Sequence, residues 1–455
     1  MGGDVFGNGL LYSRKFRLLA AFNHKYIFLD PDPDPEKSFQ ERERLFYADN
    51  SDWDSYNPGL ISGGGGVYLR NEKSISVSAQ AREKLGIEQE QVSGQELVRA
   101  ILKAPVELLY NGGIGTYVKS SEEDNQDVGD VANNEVRING NEIRAAIACE
   151  GGNLGFTQNG RIEYALHGGD IYTDALDNSG GVDLSDHEVN LKIFFNSIHA
   201  PREQRNSVMQ AIAPDVVQNV LLNNNLQSLA VNVEEYESEN AGWEKFILLS
   251  EYLKNKNILH PQSENIPADR NEWQSMNAKS KKIPKPILCV LFGYAKMDLY
   301  KEAVESGVLQ YEKLPRLYRE YFPVKLQQDY DRQLEMHPLR TEILVTQAVN
   351  FYINLLGCRG ILLFAEYDVQ NRMQRFSDIL QSLYDLELDY FIRESALLRD
   401  MENEPGLYQM ISSIRDVIWK RWSSDLSTES ISNNPVSQKL SQKSISLLMN
   451  LGKKS

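Results

Sequence analysis

The sequence predicts an α/β region followed by an all-helical one. Three observations carry this. Short apolar runs that end in polar or glycine-rich turns recur through the first 195 residues, as in Tyr26-Ile27-Phe28-Leu29-Asp30 and Ala145-Ala146-Ile147-Ala148-Cys149-Glu150. Helix-like stretches lie between those runs. From Ile193 onward strand signals fade and long helical periodicities take over. The implied divisions are 1–195 for the α/β part, 196–422 for the helical part, and 423–455 for a serine- and asparagine-rich tail expected to be disordered.

The totals bound the answer. A chain of 455 residues has room for two or three domains. Its formal net charge of −16 and the absence of a long basic patch with interleaved aromatics argue against nucleic-acid binding. The longest apolar run, 287–292, is far too short to span a bilayer. The start, Met-Gly-Gly-Asp-Val, lacks a secretory signal pattern. Cys149, Cys289 and Cys358 are far apart and read as reduced thiols, so a cytoplasmic location is expected.

In chain order, Gly3-Asp4-Val5-Phe6-Gly7-Asn8-Gly9 is a glycine-rich turn, and 10–24 reads as a helix with Leu11, Leu18 and Phe22 on one stripe. Residues 26–29 read as a buried strand ended by Asp30. That acid stands roughly 20 residues after the glycines, where a dinucleotide-binding unit places its ribose-binding carboxylate. An acid there, with no basic residue just after it, favours NAD over NADP. The spacing Gly3-x-x-x-Gly7-x-Gly9 departs from G-x-G-x-x-G, and by spacing alone a plain turn before a helix is the favoured reading. Only two residues precede Gly3, so the first strand of the sheet is expected to be missing and the chain to start inside a domain.

Residues 38–47, 78–85 and 93–102 read as helices, the last with Ser93 as cap and Glu96 three residues on. Ser62-Gly63-Gly64-Gly65-Gly66 is a loop, on the surface or against a cofactor. Residues 106–110 form the next strand, ending in Asn111-Gly112-Gly113-Ile114-Gly115-Thr116. A hairpin is expected at 136–140, a buried strand at 145–149, a helix at 157–167 and a short strand at 171–176. Asp30, Asn111, Glu150 to Asn153 and Asn178 would then each follow a strand. In a doubly wound sheet all such ends share the ligand-binding edge. The fold expected is therefore α/β: a Rossmann-like nucleotide-binding domain, then an all-helical C-terminal domain.

Two motifs carry a resemblance. Glu150-Gly151-Gly152-Asn153 and Asn178-Ser179-Gly180-Gly181-Val182-Asp183-Leu184-Ser185-Asp186-His187-Glu188 resemble the E-G-A-N loop and the N-A-G-G-V-x-x-S-x-x-E motif of the amino-acid dehydrogenase superfamily. Residues 1–34, 108–119 and 148–192 resemble the C-terminal part of the large bacterial NAD-specific glutamate dehydrogenases, more loosely to about residue 400. Glycine stands for alanine at Gly152 and serine for alanine at Ser179, both small.

The resemblance implies oxidative deamination of L-glutamate to 2-oxoglutarate and ammonium with NAD as cofactor. It implies that Asn178 bonds the nicotinamide carboxamide, that Asn153 neighbours the nicotinamide ribose, and that Ser185 binds the substrate's distal carboxylate. Gly180 and Gly181 would allow close packing against the cofactor. Phe6-Gly7-Asn8 resembles the superfamily's F-G-N nucleotide turn, so Gly7, Asn8 and Gly9 join Asn111, Glu150 and Gly151 as expected cofactor-binding residues, beside Asp30, which is read from its spacing. The catalytic lysine and aspartate of the superfamily lie upstream of the nucleotide turn. No segment here resembles their motifs, so this chain alone is expected to be inactive. The full-length family implies a homo-oligomer. The alternatives are a dehydrogenase for another amino acid and a non-catalytic NAD-binding fragment. A metal cluster of Asp174, Asp177, Asp183, Asp186, His187 and Glu188 is a rival reading, but it lacks regular ligand spacing.

In the second half, helices are expected at 202–222 (interrupted at Pro214), 235–256, 286–305, 341–356 and 377–398. Pro286 suits a helix start. Tyr294, Tyr300, Tyr352 and Phe364 read as core residues. Ala295-Lys296-Met297 resembles the large enzymes' helical C-terminal region.

Overall fold

A computed structural model describes residues 8–397 and 404–423. The chain divides into two compact units, Met1–Asn178 and Ser179–Ser455.

In the first unit, the segment 10–24 is not a helix. After a 3-10 turn, Asn8–Leu11, it forms strand β1 (Ala20–Phe22). The cause is local: Asn23 Oδ1 accepts from the N–H groups of Lys25 and Tyr26, each at 2.8 Å. This side-chain turn reverses the chain into β2 (Tyr26–Leu29). With β3 (Gly66–Leu69) the three make an antiparallel sheet in the order β1-β2-β3. Central β2 is buried on both faces. Phe28 packs with Leu45, Trp53 and Tyr56, while Ile27 and Leu29 enter the main core of the unit.

Helix α1 (Pro35–Phe46) starts one residue after Asp34, whose carboxylate accepts from Glu36 N and Lys37 N, with Pro35 in the first turn. The acidic proline loop thus ends as a helix cap. Strand β4 (Ile75–Ser76) pairs with β5 (Gln91–Val92) around α2 (Ala79–Leu85). Helix α3 (Gly94–Leu102) carries the capping box of Ser93 and Glu96 that its sequence announces.

The remaining strands pair in parallel. Strand β6 (Leu108–Asn111) pairs with β9 (Ile147–Glu150), Leu108 opposite Ile147 and Asn111 opposite Glu150. Strand β7 (Val118–Lys119) pairs with β8 (Ile138–Asn139), so the hairpin expected at 136–140 does not form. Helices α4 (Asn125–Val128), α5 (Gln158–Leu166) and α6 (Asp174–Asp177) complete the unit. No strand forms at 171–176: residues 171–173 belong to no helix or strand, and 174–176 open α6. The four strand ends therefore do not share one edge: Asp30 follows an antiparallel strand, Asn111 and Glu150 end a parallel pair, and Asn178 ends a short helix.

Every secondary-structure element among the described residues of the second unit is a helix. Helix α7 (Ser179–Ser197) holds the glycine motif. Helix α8 (Arg202–Ala241) continues through Pro214 for 40 residues. Proline frees the carbonyl four residues earlier, here on exposed Gln210, where water can bond it. Gly242, at φ 85° and ψ 177°, ends α8. The helix expected at 235–256 is therefore split, and its second part is α9 (Glu244–Asn255).

Helices α10 (Arg270–Lys279), α11 (Lys285–Ser306), α12 (Pro315–Arg319), α13 (Val324–Leu334) and α14 (Arg340–Leu356) follow. Next come α15 (Val369–Asp385), α16 (Leu388–Leu397) and α17 (Glu404–Ser423). Glu387, at φ 56°, separates α15 from α16 where one helix was expected. Tyr352 and Phe364 are core residues as expected. Beside them runs a buried ion network in which the Glu237 carboxylate accepts from both Arg359 and Arg415, the latter at 2.8 Å. The tail expected to be disordered lies, from residue 424 on, outside the described residues. Among the described residues no helix is long and apolar enough to cross a membrane.

Candidate functional site

The parallel β6/β9 pair delivers two loops to one end, 111–115 and 150–155. Glycine lets them interlock. A Cβ at Gly152 would stand 2.4 Å from Gly113 O, and one at Gly155 1.7 Å from Asn111 Nδ2. A Cβ at Gly151 would meet the Tyr110 hydroxyl at 2.2 Å. Close approach at these glycines is thus made by the end of β6 and the loop that follows it. Gly152 N–H donates to Asn111 O at 3.1 Å, tying the two loops together.

Glu150 holds the loop from below. It is wholly buried and makes a two-pronged pair with Arg161 of α5, at 2.7 Å and 3.0 Å. Its Oε1 also accepts from Phe156 N at 3.0 Å. Arg161 reaches Asp174 as well, at 3.1 Å, and Asp174 Oδ2 accepts from Leu154 N at 2.8 Å. Asp177 Oδ2 accepts from Glu150 N at 2.9 Å. Glu150 is therefore the anchor of the loop, its oxygens engaged inside the protein. Arg161 was not singled out in the sequence, although its place one helical turn into α5, after an acid-led glycine loop, could have flagged it.

Burial shapes the charges here. It pushes Asp177 up to about 7, against the Glu150 N–H it accepts from, with the negative Glu150 adding to the rise. It also raises Glu150, opposed by Arg161. The Cys149 thiol is pushed up to about 12, first by burial and then by the charge of Asp177.

Above this base the two motif asparagines meet. Asn178, just past α6, donates from Nδ2 to Asn153 Oδ1 at 2.7 Å. The pair leaves Asn178 Oδ1 as an open acceptor and Asn153 Nδ2 as an open donor, with Asn153 exposed. One leftover acceptor and one leftover donor are the hydrogen-bonding complement of a primary carboxamide. Nearby, Asn111 Nδ2 is buried without a partner.

The other expected residues are placed differently. Gly7 lies outside the described residues, and Asn8 and Gly9 begin the 3-10 turn. Asp30 is wholly buried. Its Oδ1 accepts from Ser62 N at 3.1 Å and from the Ser62 hydroxyl, while Oδ2 has no partner. Ser62 of the glycine loop thus serves Asp30. In the second unit Gly180 and Gly181 form the first turn of α7. Ser185 is exposed on that helix and donates back to Gly181 O at 3.0 Å. Among the described residues no group of three acidic, histidine or cysteine side chains is placed to hold a metal ion. A cavity of about 410 Å³ opens elsewhere in the first unit, lined by His24, Lys25, Arg70, Gln95 and Glu135 among others, and includes none of the motif residues.

A family model described as the bacterial NAD-glutamate dehydrogenase catalytic domain matches residues 1–234, and one described as glutamate dehydrogenase, C-terminal, matches residues 280–372. The chain belongs to the bacterial NAD-glutamate dehydrogenase family. Its relatives include the NAD-specific glutamate dehydrogenase of Pseudomonas aeruginosa, 42% identical over 361 residues, which are 78% of this chain and 22% of that protein. The enzyme of the same name from Halomonas elongata is 41% identical over the same shares. That of Mycobacterium tuberculosis is 39% identical over 80% of this chain and 23% of the relative. The chain thus spans less than a quarter of the length of these family members.

Proposed function

We propose that this chain carries the cofactor-binding portion of an NAD-dependent glutamate dehydrogenase, and that the Asn153–Asn178 pair receives the nicotinamide carboxamide. The observation that carries the reading is the pair itself: two motifs 25 residues apart are joined by one hydrogen bond, with a donor and an acceptor left over. Family membership and the names of the relatives supply the reaction. L-glutamate, NAD⁺ and water give 2-oxoglutarate, ammonium, NADH and a proton. Bound NAD⁺ supplies the hydride acceptor.

This chain's residues bind and orient. Asn178 Oδ1 would accept from the carboxamide N–H₂ while Asn153 Nδ2 donates to its oxygen, so the ring presents one face. We also assign Asn111 to the cofactor region, its Nδ2 being buried without a partner. Glu150, Arg161, Asp174 and Asp177 hold the loop in place rather than touching the cofactor. The parallel β6/β9 pair, with both loops at one end, is our basis for retaining a Rossmann-like reading of the cofactor region. On the motif resemblance we assign Ser185 to the distal carboxylate of the substrate. The chemistry also needs a lysine to activate water and an aspartate to move protons, and no segment here matches those motifs. We therefore propose that the chain alone does not turn glutamate over.

Titration of the purified chain with NAD⁺ tests the reading. Binding is expected, weakened about tenfold or more in Asn178→Ala, with the fold retained because a single exposed hydrogen bond contributes only about 1 kcal/mol. Unchanged affinity in Asn178→Ala would sink the assignment, and glutamate-dependent NADH formation by the chain alone would sink the claim of inactivity.

A further inference from the structure

The register of β2 and β3 pairs Tyr26 with Leu69. One step further out, the same ladder sets Arg70 opposite Lys25, and Arg70 N–H donates to Lys25 O at 2.8 Å. Like charges directly opposite one another destabilise a strand pair. The chain places two cations there although its formal net charge is −16 and acids outnumber bases. Both side chains line the cavity of about 410 Å³ in the first unit, with His24, Asn71, Gln95 and Glu135.

Arg70 is half-buried and fixed in place. Its Nη1 donates to Asn23 O at 3.0 Å and its Nη2 to Asn133 Oδ1 at 3.3 Å. Asn133 is oriented by Asp130, whose Oδ2 accepts from Asn133 Nδ2 and from Thr116 N, each at 2.8 Å. The backbone is held too, since a Cβ at Gly94 would stand 2.0 Å from Arg70 O. Both acceptors of the guanidinium are neutral, and among the described residues no carboxylate stands within ion-pair distance of it. Two bonds leave three of its five N–H groups, in the fork that fits a carboxylate or a phosphate. Lys25 has Asp52 Oδ2 at 3.9 Å, the outer limit of an ion pair. The acid of the lining, Glu135, accepts from Gln95 Nε2 at 3.0 Å. The cavity therefore keeps an excess of positive charge.

We propose that this cavity is a binding site for a small oxyanion, the carboxylate or phosphate group of a metabolite, seated between Arg70 and Lys25. The inference stands apart from the cofactor reading, since neither Asn111, Asn153 nor Asn178 lines the cavity. Its volume is that of a small-molecule site. The oxyanion accepts from the spare N–H groups of Arg70 and from the Lys25 ammonium, and it removes the repulsion between the two cations. Asn71 and Gln95 offer amide groups to the rest of the molecule, and Glu135 accepts a hydroxyl or amino hydrogen.

Calorimetric titration of the 455-residue chain with inorganic phosphate and with malate, at constant ionic strength, tests this. At least one is expected to bind with a Kd of about 1 mM or tighter, and the tighter of the two tells a phosphorylated from a carboxylated ligand. R70Q is expected to weaken that binding about tenfold or more. Arg70 also bonds Asn23 and Asn133, so A132E supplies a second reading. Ala132 is exposed at the cavity, and its replacement adds a carboxylate without removing an Arg70 bond. The same loss is expected there, with the circular dichroism spectrum unchanged. K325Q removes an exposed cation of the second unit and should leave binding as it was. No binding of either probe at about 10 mM, or equal affinity in wild type and A132E, overturns the proposal. Displacement of the bound anion by NAD⁺ overturns it as a separate site. A chain that binds the anion but has no NAD⁺ affinity overturns the cofactor reading and leaves this one standing.

Discussion

At the scale of single residues, charge decides what the motif loop can be. Glu150 is buried beyond the reach of solvent and would be costly as a lone carboxylate. Arg161 makes it tolerable, and the price is that neither is free for a ligand. Asp177 stands in the same cluster with its proton held up to about 7, against about 4 in an unfolded chain. The sign follows from linkage: the folded chain keeps this proton where the unfolded chain loses it, so folding stability falls as pH rises from about 4 to about 7 and then levels. Asp177→Asn keeps an acceptor for Glu150 N–H and removes the titration. Urea unfolding of both proteins at a series of pH values is expected to show the variant gaining on the wild type across that window, and parallel curves would count against a raised Asp177.

At the scale of elements, what could be read from the sequence was what neighbours in sequence determine. Ser93 and Glu96 announce α3, and Pro286 marks the start of α11. The apolar runs 26–29 and 145–149 contain real strands. What failed depended on partners distant in sequence or on one backbone angle. Strand β8 finds a parallel partner in β7, about 20 residues earlier, where local pattern suggested a hairpin. Helical spacing at 10–24 was overruled by the Asn23 turn, and the end of the apolar run at 171–176 turned into α6, whose acids Asp174 and Asp177 accept from the N–H groups of Leu154 and Glu150. Of the candidate site, the asparagines and glycines were legible as motifs. Their pairing, and the Arg161 anchor, were not, since nothing local couples positions 153 and 178. Gly242 shows the backbone case. Its φ and ψ fall where side chains are rarely tolerated, yet a Cβ there would meet no atom within 4 Å. Gly242→Ala therefore isolates backbone strain, with an expected loss of about 1–3 kcal/mol in denaturant unfolding. A neutral substitution would mean that α8 and α9 are separated by something else.

At the scale of the whole molecule, the second unit carries its own means of folding. Helices α8, α11 and α14 bury a continuous apolar core, including Leu229, Leu291, Phe292, Val345 and Tyr352. The Glu237 pairs with Arg359 and Arg415 lie inside that unit too, where an unmatched charge would cost several kcal/mol. Expressed as residues 179–455, it is expected to be helical by circular dichroism and to melt in one cooperative step. A gradual, non-cooperative melt would show that its core needs the rest of the chain.

The thiol of Cys149 has a consequence for handling the protein. Only a thiolate attacks alkylating agents and oxidants at a useful rate, and a thiol held up to about 12 is almost entirely protonated near neutrality. Cys149 sits one residue before Glu150, at the root of the loop that bears Asn153. While that strand end stays closed the partly buried sulfur reacts slowly, and each transient opening that separates it from Asp177 brings its pKa down and speeds the reaction. Its reaction rate, followed at Cys149 itself by peptide mapping since Cys289 is also partly exposed, is thus a clock for the breathing of the loop, with no added label site.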